Sequence, residues 1–90
     1  MSIKFDRIRF EVLSVVQIRG ETFANVQMIT GKVSQSAIFT TESGNGKWKV
    51  GIGGFIKPKI YIVGREVLHI SKLPNSELEV EEGMILVSVE

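Results

Sequence analysis

Ile8-Arg9-Phe10-Glu11-Val12 sets apolar and charged residues on alternate positions. Ile85-Leu86-Val87-Ser88-Val89 returns to a similar, looser pattern near the other end. Successive side chains of an extended strand point to opposite faces, so this period buries one face and wets the other. A surface helix needs apolar residues at three- and four-residue spacing, and no stretch of this chain sustains that rhythm. The reading is an all-β domain over 1–90: a small closed or partly open antiparallel β-barrel of roughly six to seven short strands. Closure is expected because a chain this short would otherwise leave long strand edges exposed.

Outward from the opening stretch, a first strand is predicted over 7–18. Ile8, Phe10, Val12, Val16 and Ile18 share one face. Leu13 and Val15 break the alternation and imply partial cover of the second face or a bulge. Arg19-Gly20-Glu21 reads as a turn, followed by a strand over 22–30 with Ala24, Val26 and Met28 on one face. The expected register sets Ile18 opposite Thr22, Val16 opposite Ala24, Ser14 opposite Val26 and Val12 opposite Met28. A one-residue slip would turn a whole apolar set outward.

Val33 and the stretch 37–41 predict a third strand. Ser43-Gly44-Asn45-Gly46 is the clearest turn, because Asn-Gly readily takes the positive φ angles of a type I′ hairpin. A two-residue Asn45-Gly46 loop pairs Ser43 with Trp48, Glu42 with Lys49, Thr41 with Val50 and Phe39 with Ile52. It places Phe39, Thr41, Trp48, Val50 and Ile52 on one face. Gly51, Gly53 and Gly54 predict a bend, and Pro58 an edge or corner. Further strands are expected over 60–63 and 66–70, with Gly64-Arg65 between them. A loop follows over 73–76, a brief extended piece over 78–80, a turn at Glu82-Gly83 and a last strand over 84–89.

Ninety residues with a net charge of +1 and no cysteine make one modest core without disulfides or thiolate metal sites. The opening Met1-Ser2-Ile3-Lys4-Phe5-Asp6 has no apolar run of signal-peptide length, and no run is long enough for a membrane-spanning helix. An unprocessed cytoplasmic protein is the expectation. Charge is uneven along the chain. Lys47, Lys49, Lys57, Lys59 and Arg65 fall in a stretch without an acid, whereas Glu77, Glu79, Glu81, Glu82 and Glu90 fall in one without a base. Two solvated faces explain this blandly; a basic patch for an anionic partner explains it sharply.

Several pieces resemble the β-barrel that forms the second domain of translation elongation factor GTPases. They are Phe10-Glu11-Val12, Ile18-Arg19-Gly20, Ile29-Thr30-Gly31-Lys32-Val33, Val67-Leu68-His69-Ile70 and Val80-Glu81-Glu82-Gly83-Met84-Ile85-Leu86-Val87. The resemblance implies a barrel fold and a binding role related to translation. The stretch between Gly20 and Gly31 is longer than the family's spacing, and the family's Gly-Asp turn is missing, so no site residue is carried over.

The chemistry-bearing residues are sparse. His69 stands alone, without the acidic or histidine neighbours of a catalytic or metal site. Gly51-Ile52-Gly53-Gly54 lacks the following helix and Lys-Ser or Lys-Thr pair of a phosphate loop, so barrel curvature is its reading. Glu77, Glu79 and Glu81 lack the Asp-rich loop of a calcium site and read as a solvated face, with Leu78 and Val80 inward. Serines and threonines have no partner base. No catalytic, cofactor or metal residue is assigned. The expected function is a non-enzymatic binding module with a protein partner, including a homodimer through an edge near Pro58. The alternative is single-stranded nucleic acid held by Lys47, Lys49, Lys57, Lys59, Tyr61 and Arg65, cations tracking phosphates while the tyrosine stacks on a base. An enzyme or ligand carrier ranks third.

Overall fold

The computed structural model describes residues 7–53, 62–74 and 78–89. These form six antiparallel strands: β1 (Arg9–Ile18), β2 (Glu21–Thr30), β3 (Ala37–Thr41), β4 (Lys47–Ile52), β5 (Arg65–Lys72) and β6 (Ile85–Ser88). They close into a barrel in the order β1-β2-β5-β4-β3-β6. No helix occurs among the described residues, in line with the two-residue period.

Inward-facing side chains from every strand meet in one core. Phe10, Val12, Ala24, Val26, Phe39, Trp48, Val50, Leu68 and Leu86 are almost wholly buried. The Phe10 and Phe39 rings lie 5.1 Å apart and tilted by 47°, the offset geometry that aromatic quadrupoles favour. Burying a side chain of this size is worth about 1.5–3 kcal/mol, so these aromatics dominate the cohesion. Val33 is buried although it lies outside any strand. It closes the core from a loop and does not extend β3.

Both hairpins depart from the expected register, with opposite consequences. In the first, Ile18 faces Glu21, Val16 faces Phe23 and Ser14 faces Asn25. Arg19 and Gly20, at φ 53° and 80°, form a two-residue turn, one residue tighter than expected. That odd shift turns Val16 and Ile18 outward, where they are 41% and 38% exposed. An irregularity between Val12 and Ser14 then restores the phase, and Val12 faces Val26 and Phe10 faces Met28. Leu13 is thus the bulge residue, and Val15 takes the core side.

In the second hairpin Thr40 faces Lys47, Phe39 faces Trp48, Ile38 faces Lys49 and Ala37 faces Val50. Phe39 and Ile52 are therefore not cross-strand neighbours, and Glu42 does not pair with Lys49. The connection is longer than the expected Asn45-Gly46 turn. Gly44 and Gly46 take φ 85° and 76° while Asn45 stays out of the positive region, so the type I′ condition fails. Threonine side chains hold the loop. Thr41 Oγ1 accepts from the Asn45 N–H and donates to the Asn45 carbonyl, both at 2.8 Å, and Thr40 Oγ1 donates to the Gly46 carbonyl at 2.7 Å. This shift is even, so side-chain faces survive it. Phe39, Trp48 and Val50 remain in the core, whereas Ile52 at the strand end is 57% exposed.

β5 is one strand of eight residues. Ile62 and Val63 are not strand, and the rest of the strand expected over 60–63 lies outside the described residues, as do Gly54 and Pro58. β5 inserts between β2 and β4, where Ile70 faces both Thr22 and Val50. Gly53 ends β4 against it. The Gly53 N–H donates to the Val67 carbonyl at 3.1 Å, and an added Cβ there would meet that oxygen at 3.0 Å. The glycine permits close backbone approach, not anion binding.

Candidate functional surfaces

The described members of the basic set do not converge. Lys47 and Lys49 are exposed on β4, two residues apart and so on one face. Lys49 faces Ser71. Arg65 lies six residues from Ser71 along β5, about 20 Å at roughly 3.3 Å per residue. Arg65 is also engaged: its Nε donates to Gln27 Oε1 at 2.8 Å. Lys57, Lys59 and Tyr61 lie outside the described residues. Trp48 faces the core and is 1% exposed, so it offers no stacking surface.

His69 sits on the outer wall of β5. Its ring lies 5.2 Å from that of Phe23, and its Nε2 is 3.6 Å from Glu21 Oε1. This is a packed, half-exposed histidine. Glu79 and Glu81 are exposed, as expected of a solvated face, and Val80 is buried; Leu78, expected inward, is 42% exposed. Glu79 pairs with Lys72 at 2.8 Å. Among the described residues no three histidine, cysteine or acidic side chains gather as a metal site would require, and there is no helix long and apolar enough to cross a membrane.

Three concavities are lined by described residues. One mouth of the barrel holds about 240 Å³ over Trp48, between Gln17, Thr22 and Ile70, with the Lys72–Glu79 pair at its rim. A shallow cleft of about 400 Å³ runs beside Arg7, Arg9, Thr40, Thr41 and Ser43. Glu42 reaches into it and pairs with Arg9 at 3.2 Å, with both side chains about half exposed. A third, of about 230 Å³, lies beside the β1 bulge, where Leu13, Ile62 and Val67 form its apolar part and Ser14, Asn25 and Arg65 its polar edge.

Ile62, on the lip of the third concavity, is one of three exposed apolar residues toward the Ile29 end of β2. Ile29 is 51%, Ile62 45% and Val63 81% exposed. Two bonds hold the 62–64 turn against the end of β2: the Met28 N–H donates to the Gly64 carbonyl at 2.7 Å, and the Gln27 side chain donates from Nε2 to the Val63 carbonyl at 3.2 Å. The sequence reading did not single out these residues. Their alternation looked like ordinary strand, and only the pairing of β2 with β5, prolonged by the Met28–Gly64 bond, brings residues 62 and 63 to the end of β2 that carries Ile29. No protein-family model matches the chain, and no curated protein or solved structure is detectably similar to it.

Proposed function

We propose that this barrel is a non-enzymatic binding module whose partner is a protein, seated at the Ile29–Ile62–Val63 end of the outer wall. The observation that carries the reading is the grouping itself. Single exposed aliphatic side chains are ordinary, whereas several around a concavity, rimmed by polar groups, favour a protein contact. Gln27 and Arg65, already hydrogen-bonded to each other, supply an ordered polar rim of the kind that surrounds an apolar contact. The elongation-factor resemblance makes a translation component the first partner class to test. The nucleic-acid reading draws less support, because Lys49 and Arg65 stand far apart and Trp48 faces the core.

The test places a photo-crosslinking residue at position 63 and maps the products in cell extract. Protein adducts that disappear on Ile29→Asp, with the far-ultraviolet dichroism unchanged, are the expected result. Adducts indifferent to that substitution would refute the site. Binding to mixed single-stranded RNA and DNA that collapses with added salt would favour the basic surface instead.

A further inference from the structure

The barrel closes around β1 over only part of that strand's length. β6 pairs with Arg9, Phe10 and Glu11. Val12 then donates its N–H to the Met84 carbonyl and accepts from the Gly83 N–H, both at 2.8 Å. Beyond Val12, β1 pairs with β2 on one side, and among the described residues nothing pairs with it on the other. A six-residue edge, Leu13 to Ile18, is therefore open.

The open groups can be identified. A two-residue hairpin makes its flanking residues, Ile18 and Glu21, a mutually hydrogen-bonded pair. Alternation then gives Val16–Phe23 and Ser14–Asn25 the same role, and turns the N–H and C=O of Val15 and Gln17 away from β2. The Val12 bonds to Gly83 and Met84, on the far side of the bulge, fit that phase. Four backbone groups thus face outward from an edge whose one protecting device is the bulge at Leu13, where it begins. Leu13-Ser14-Val15-Val16-Gln17-Ile18 has no charge, proline or glycine, whereas exposed edges are ordinarily blunted by such residues. Val16 and Ile18 flank it, 41% and 38% exposed.

We propose that two copies of this chain associate through this edge, β1 against β1 in an antiparallel two-fold pairing centred on Val16. The edge is complementary to itself. With Val16 on the axis, Val15 of each copy faces Gln17 of the other, so all eight open groups of the two strands pair, in four hydrogen bonds. Ile18 faces Ser14 and Val16 faces Val16, and the outward apolar side chains cover one another. The two ends also fit. The partner's Arg19 arrives beside Leu13, next to the turn where Glu81 and Glu82 are exposed ahead of Gly83. The concavity beside Ile62 shares Leu13 and Ser14 with this edge, but Val16 and Ile29 lie outside the overlap, so substitutions there let either proposal fail alone.

Sedimentation equilibrium, from micromolar to near-millimolar protein, tests it directly. The expected result is a reversible shift from the 10.0 kDa monomer to twice that mass. Hydrogen exchange at the Val15 and Gln17 amides should slow as concentration rises, while that at Val16 does not. Val16→Lys sets two like charges on the axis and should weaken association at least about tenfold. Gln17→Pro removes an outward donor that the β1–β2 ladder does not use and should do the same. Ile29→Asp should leave the mass distribution unchanged. A monomer at every concentration overturns the proposal. So does a dimer that persists in Val16→Lys, or concentration-independent exchange at Val15 and Gln17.

Discussion

Gly44 and Gly46 occupy one loop with nearly the same backbone conformation, at φ 85° and 76°, and differ in what surrounds them. A Cβ added at Gly44 meets nothing within 4 Å. One added at Gly46 meets the Trp48 ring at 2.8 and 3.2 Å and Leu78 Cβ at 3.3 Å. Trp48 is 1% exposed and faces Phe39 across the ladder, so the ring has little room to retreat. Gly44→Ala should therefore incur only the left-handed backbone penalty, about 1 kcal/mol after the gain from a stiffer unfolded chain. Gly46→Ala incurs the same penalty plus overpacking against a fixed ring, about 1–3 kcal/mol more. The pair should differ by at least about 1 kcal/mol. Urea unfolding monitored by Trp48, the only tryptophan, reads both variants on one scale, with an unchanged m-value showing that stability alone moved. Equal losses, or a larger loss at Gly44, would refute the packing of Trp48 beneath this loop. It would also refute the even register shift that brings Trp48 opposite Phe39.

Trp48→Ala should lose about 3–5 kcal/mol, as expected of a large buried aromatic, and native emission should be blue-shifted and poorly quenched by iodide; red-shifted, accessible fluorescence would contradict the core. Arg19 is the one non-glycine residue with positive φ among those described, so Arg19→Asn, which suits that conformation, should stabilise the first hairpin by about 0.5–1 kcal/mol in thermal melts. An unchanged or lowered melting temperature would argue against the two-residue turn.

The sequence was sufficient for the fold class because the two-residue period is local. Residue chemistry at i, i+1 and i+2 decides which side of a strand meets water, and Phe10-Glu11-Val12 and Trp48-Lys49-Val50 express this without reference to the rest of the chain. The faces of β4 were legible for a further reason: its hairpin slipped by an even step, which leaves alternation intact. The registers were not legible. Glu21 and Thr22 are both polar, so either one could stand opposite Ile18, and the choice fell to a turn made by Arg19 and Gly20 with a compensating bulge at Leu13. Asn45-Gly46 carried a strong turn signal, yet hydrogen bonds from Thr40 and Thr41 opened that loop instead.

The candidate surfaces were still less legible, because each exists only where distant strands meet. Ile62 and Val63 reach the end of β2 that carries Ile29 because β5 pairs with β2 and Gly64 bonds to Met28. The cleft beside Arg9 arises because β6 brings β1 and β3 to its two sides. The open edge of β1 depends on how far β6 reaches along it. Alternation assigns a residue to a face. Which residues share a patch on that face depends on strand order and stagger, and those follow from the packing of the aromatic core as a whole.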